Sequence, residues 1–184
     1  AEYSVVGSDR THLTAAKVLQ SLLDNSSLSK EDAAQEAGKI AVNGALKDGM
    51  QQRIADFIRL TNGQCMGTLD KIEIDKYRAL ASRSRKSITF NGSNPENLFH
   101  EMGHHVEYAA HNVDLRVGEQ FIKGRATGKP KRLSTLSPGH GYGSGEMAYP
   151  DRFADPYVGK TSANGTSEVI SMGLQFFSSP TLLS

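Results

Sequence analysis

His100, Glu101 and His104 have the residue types and the spacing for metal chemistry. In His100-Glu101-Met102-Gly103-His104 the imidazoles are four residues apart, so on an α-helix they leave the same face about 6 Å apart along the axis. Both can then reach one zinc ion at about 2 Å. Glu101 projects beside them, placed to take a proton from a metal-bound water. With six histidines in 184 residues, a chance H-E-x-x-H is expected roughly once in a hundred such chains, so coincidence is a weak explanation.

Two histidines leave a catalytic zinc short of a ligand, because such sites carry three protein ligands and one open position. A third histidine in the H-E-x-x-H-x-x-G-x-x-H pattern is ruled out: Glu107 stands where the glycine would be and Ala110 where the histidine would be. His111 is one residue out of register. A carboxylate from a second helix is the other common solution, the alternative for such a residue being a surface carboxylate in a capping region. Glu168 begins an apolar stretch that Ser167 or Thr166 can cap, and it is the candidate ligand. His105 points about 100° away from His104 and cannot share its ion. Glu107, Asp151 and Asp155 are candidates to orient a ligand from behind, with surface or loop-capping roles as the alternative. Tyr157 is the first choice for a donor to a developing oxyanion, with Tyr149 and His140 as alternatives.

These residues need a scaffold. Leu13 to Leu23 carry an apolar stripe with helical spacing that ends near Asp24-Asn25. Ser29 with Asp32 reads as the capped start of a second helix carrying Ala33, Ala37, Ile40, Ala41 and Ala45. Gly49 marks a break before a third helix with Ile54, Phe57, Ile58 and Leu60. Residues 72–84 are compatible with strand or helix, and Ser87-Ile88-Thr89-Phe90, bounded by Asn91-Gly92, predicts a strand. Asn94 as cap, Pro95 at the first helical position and Glu96 in the first turn start the metal-binding helix. Leu98, Phe99, Met102 and Val106 give that helix a packing face, and Gly103 allows close approach of another backbone. Glycines and prolines across 122–146 predict a long basic loop with a hairpin, a candidate flap. Helical spacing returns from Ser167 to Phe177, and Pro180 stops it.

The expected architecture is one α+β domain over 1–184, mainly helical, with a small sheet beside the metal-binding helix. Residues 1–60 form its helical N-terminal part and 87–177 its metal-site half. A net charge of +1 gives no electrostatic reason for a nucleic-acid partner, and the basic stretch at 123–132 lacks interleaved aromatics. Cys65, the single cysteine, excludes an internal disulfide framework and a cysteine-rich zinc site. No run has the length and apolarity of a membrane span or signal peptide. The chain opens on Ala1, which leaves processing or excision from a longer protein open.

Leu98 to Glu107 resembles the active-site helix of zincin-like metallopeptidases of the gluzincin type. That resemblance implies one zinc per chain held by His100, His104 and Glu168, Glu101 as the base, and a protein or peptide substrate pairing with an edge strand supplied by 61–90. Gluzincins of the thermolysin kind follow E-x-x-x-D, whereas Met172 stands four after Glu168 here and Ser171 three after. The segments around Asp155–Lys160 and Thr166–Gly173 are similar to those of phage- and prophage-associated proteins, which implies a virion, mobile-element or secreted setting. Two other functions fit the same residues: an amidase on a non-protein amide such as cell-wall peptide, and a non-catalytic structural domain of a phage particle or secretion system.

Overall fold

The computed structural model describes residues 15–110, 113–126, 128–151, 153–161 and 167–179. His12, Leu13, His111, Thr166 and Pro180 lie outside these residues. The fold is α+β and predominantly helical. Helices α1 (Ala15–Asp24), α2 (Lys30–Lys39) and α3 (Met50–Leu60) precede most of the sheet. Ser29 caps α2 as its side chain suggests, accepting the Asp32 N–H at 3.0 Å.

The second helix ends sooner than its alanines imply. Ala41 and Ala45 are not helical: Ala41–Asn43 is strand β1, paired in parallel with β2 (Lys71–Ile74). The sheet partner overrides alanine's helix preference. Residue 44 also has a φ of 117°, a conformation suited to glycine that ends any helical continuation.

The four-stranded sheet has the order β1-β2-β4-β3, with β3 at Leu80–Ser82 and β4 at Ser87–Phe90. β2 pairs with β4 in parallel, and β3 pairs with β4 antiparallel. Ile72 and Ile88 face each other in register and are fully buried, as is Phe90. Against this face packs α4 (Pro95–Ala109), whose Leu98, Phe99, Met102 and Val106 enter the core. α3 closes the core, with Phe57 meeting Phe99 edge to face at 5.1 Å. Helices α2 and α3 thus share one core with the metal-binding helix.

The region expected to be a loop from residue 122 begins as the last turn of α5 (Val113–Arg125). Ile122 is buried, and Gly118 lies so close to Ser167 that a Cβ would fall 2.3 Å from its hydroxyl. Packing therefore holds the helix beyond where its glycines would end it. The hairpin is present: β5 (Lys131–Arg132) and β6 (Met147–Ala148) pair antiparallel, with the single turn α6 (Leu133–Leu136) between them. A 3₁₀ turn at Pro156–Gly159 leads towards α7 (Val169–Gln175) and a second 3₁₀ turn at Phe176–Ser178. Among the described residues no helix is long and apolar enough to cross a membrane.

Candidate metal centre

α4 starts where the sequence indicates. Asn94 Oδ1 accepts the N–H groups of Glu96 and Asn97 at 2.8 and 3.2 Å, and Pro95 follows at the first helical position. The two adjacent histidines then part. His105 turns inward, is fully buried, and lies 3.1 Å through Nε2 from the Ser87 carbonyl of β4. Thr68 Oγ1 donates to the His105 carbonyl at 2.8 Å, so this turn of α4 is tied to the sheet and to the turn after α3. His104 turns the other way, towards α7.

Opposite it, α7 approaches closely enough that a Cβ on Gly103 would lie 2.8 Å from the Ser171 Cα. Gly103 is the close-approach residue anticipated above. The approach brings Glu168 over the two histidines. His100 Nε2 and His104 Nε2 each stand 3.3 Å from Glu168 Oε2. The ligand atoms of all three residues lie within 4.8 Å of one another.

A tetrahedral zinc with ligands at about 2.0–2.1 Å spaces those ligands about 3.3–3.4 Å apart, so the two 3.3 Å separations match two edges of its coordination polyhedron. The ring nitrogens facing away are also engaged. His104 Nδ1 is 3.0 Å from Glu107 Oε2, and His100 Nδ1 is 3.1 Å from Gln175 Oε1. Each acceptor fixes the Nδ1–H tautomer and leaves Nε2 a lone pair for the metal. This is a zincin-like metal site of the H-E-x-x-H-plus-glutamate type.

No family model, curated protein or solved structure matches the chain. The zincin-like assignment therefore stands on the ligand set and its geometry. The same cluster is consistent with zinc-dependent hydrolysis of peptide bonds.

The electrostatics fit such a site. Burial raises the Glu101 carboxyl above its ordinary range, a shift the charges on His100 and His104 oppose. Burial also raises Glu168, but His100 and His104 outweigh it and hold the carboxylate far below the usual range. Without metal, burial lowers His104, yet Glu107 and Glu168 overcome this and lift it to about 10. A buried, anion-rich cluster with two imidazoles presents the charge that a divalent cation neutralises.

Glu107 lies behind His104, while Asp151 and Asp155 serve the fold: Asp151 accepts from Arg125 Nε at 2.9 Å, and Asp155 caps the 3₁₀ turn through the Tyr157 N–H at 2.7 Å. Where the thermolysin pattern has an aspartate, Met172 is buried in the core, and Ser171 Oγ stands 3.3 Å from Glu168 Oε2. Tyr157 lies over the site, its ring 5.9 Å from that of His100. Tyr142 stacks on Tyr157 at 5.7 Å and His140 on Tyr142 at 5.9 Å, so the glycine-rich loop forms an aromatic wall.

Gln175 and Lys160 escaped the sequence reading. The available signal for Gln175 was its place seven residues, or two turns, after Glu168, which puts both on one face of α7. For Lys160 it was the Asp155-Pro156 start of a 3₁₀ turn, in which residues three apart eclipse and Lys160 joins Tyr157.

Proposed function

We propose that this protein is a zinc-dependent endopeptidase acting on protein or peptide. The observation that carries the reading is the pair of 3.3 Å separations from Glu168 Oε2 to His100 Nε2 and His104 Nε2, with the buried Glu101 on the same helical turn. Zinc, when bound, supplies Lewis acidity, which brings a nucleophilic water within reach of neutral pH and polarises the scissile carbonyl.

Three tasks remain for the chain itself. Glu101 accepts the proton of the attacking water and delivers it to the leaving amine, and its raised pKa suits both transfers. Tyr157 donates to the oxyanion that develops on the substrate. Burial and the Glu168 charge push its phenol to about 12, so it keeps its proton at neutral pH. The substrate backbone pairs with β3, which is an edge strand antiparallel to β4 and lies against α4. Among the described residues no strand pairs with the outer side of β3.

Metal analysis of the purified chain, joined to a peptide-library cleavage assay on wild type and Glu101→Gln, tests the proposal. About one zinc per chain in both proteins is expected, with cleavage by wild type falling about 10²–10⁴-fold in the variant. Equal cleavage by the two proteins would overturn the role of Glu101. Zinc in both with hydrolysis only of non-protein amides would replace the endopeptidase with an amidase.

A further inference from the structure

Besides the two imidazoles, Lys160 is the cationic side chain that an ion pair among the described residues brings to the metal-site carboxylate Glu168. Its Nζ lies 2.6 Å from Tyr157 Oη, 3.2 Å from Glu146 Oε2 and 3.5 Å from Glu168 Oε1. The two oxygens of Glu168 thus face different partners. Oε2 meets both imidazoles and Ser171 Oγ, while Oε1 meets the ammonium.

The main chain fixes this ammonium in place. Lys160 forms an antiparallel bridge with Ala148 of β6, flanked by Tyr149 N–H to Gly159 O at 2.9 Å and Thr161 N–H to Met147 O at 2.8 Å. Gly159 is pressed against Tyr149, where an added Cβ would lie 2.6 Å from the Tyr149 carbonyl oxygen. The hairpin that reads as a candidate flap in the sequence is thus the mount for a residue at the metal centre.

We propose that Lys160 is a positioning residue that holds Glu168 to one-oxygen coordination and at the same time aims Tyr157. An ammonium on Oε1 keeps that oxygen from swinging onto the ion, which leaves the coordination positions that water and substrate need. The same ammonium donates to the Tyr157 oxygen, so the phenol keeps its own proton to donate, here to the Glu168 carboxylate and in a substrate complex to an acceptor in the cleft. This inference rests on the zincin-like reading of the site.

Cobalt(II) in place of zinc provides a readout separate from activity, because four-coordinate cobalt absorbs visible light far more strongly than five-coordinate cobalt. Wild type and Lys160→Met are each loaded to one cobalt per chain and checked for unchanged far-ultraviolet circular dichroism. The expected result is a weaker visible band per cobalt in the variant, as Oε1 joins the coordination. Peptide cleavage is expected to fall about 10–100-fold through kcat, with KM little changed. Lys160→Arg is expected to restore part of the band. Lys160→Gln, which keeps a donor without the charge, supplies the same comparison if the methionine variant does not fold. An unchanged spectrum in a folded, fully loaded variant would overturn the proposal. A wild type that takes up no stoichiometric metal would instead overturn the metal-site reading beneath it.

Discussion

Gly103 and Ser171 bring two helices within backbone contact, and the metal site depends on that contact. A single Cβ at 103 would sit 2.8 Å from the Ser171 Cα. Glu168 lies one turn before Ser171, and the Met172 N–H donates to its carbonyl at 3.0 Å, so any displacement of α7 carries the carboxylate with it.

Gly103→Ala is therefore expected to weaken zinc binding more than it weakens the fold. The overpacking should cost about 1–3 kcal/mol of stability, partly offset by alanine's better helix propensity. Zinc affinity, read by competition with a chromogenic chelator, should fall at least about tenfold, the scale of a disturbed ligand support. An affinity equal to wild type would show that α7 does not set the position of Glu168.

The acceptors behind the histidines make a second test. Glu107→Ala and Gln175→Ala each remove the partner of one Nδ1. Each should lower zinc affinity or cleavage about 10–100-fold. Glu107 should matter more, since it is almost fully buried and carries the charge that helps hold His104. Isothermal titration of the metal-free proteins with zinc would rank them.

Protons and metal compete for His104. In the metal-free fold its pKa is raised to about 10, so protonation stabilises that fold fully below the unfolded value of about 6.5, and the contribution is lost as pH rises through about 10. Glu168 is depressed, so its contribution is present above its unfolded value of about 4.3 and is lost only in acid. Zinc requires the neutral imidazole, so binding releases a proton between pH 6.5 and 10. Apparent affinity should rise about tenfold per pH unit across that window, and the Tm gap between zinc-loaded and metal-free protein should widen with it. A gap that does not change from pH 7 to pH 9 would contradict the charged His104 of the metal-free form.

Phe57→Ala tests whether the N-terminal helices and the metal helix fold as one unit. Phe57 is fully buried against Phe99 of α4, and its truncation should cost about 3–5 kcal/mol. A single cooperative unfolding transition at lower denaturant, monitored both by circular dichroism and by zinc release, is expected. Two separated transitions would divide the chain into two folding units.

Cys65 reports on the same core. It is fully buried, and burial pushes its thiol to about 12, against weaker opposition from its own backbone and Thr61. The native protein should react with a thiol reagent only on unfolding, at a rate that rises with denaturant.

Local chemistry made much of the site legible in the sequence. The four-residue spacing of His100 and His104, the Asn94-Pro95 start and the apolar face of α4 depend on one helix period, which neighbouring residues alone determine. Glu168 was reachable because a zinc site needs a third ligand and few carboxylates open an apolar helix. What the tertiary structure decided is everything that joins segments far apart in the chain. Sheet pairing ended α2 before Ala41, and packing against Ser167 carried α5 through residues that read as loop. The contact of α4 with α7 put Gln175 behind His100, and the isolated bridge between Ala148 and Lys160 set a cation beside Glu168. Such partners leave no periodic trace, because their meeting depends on how the core packs rather than on the order of residues around each of them.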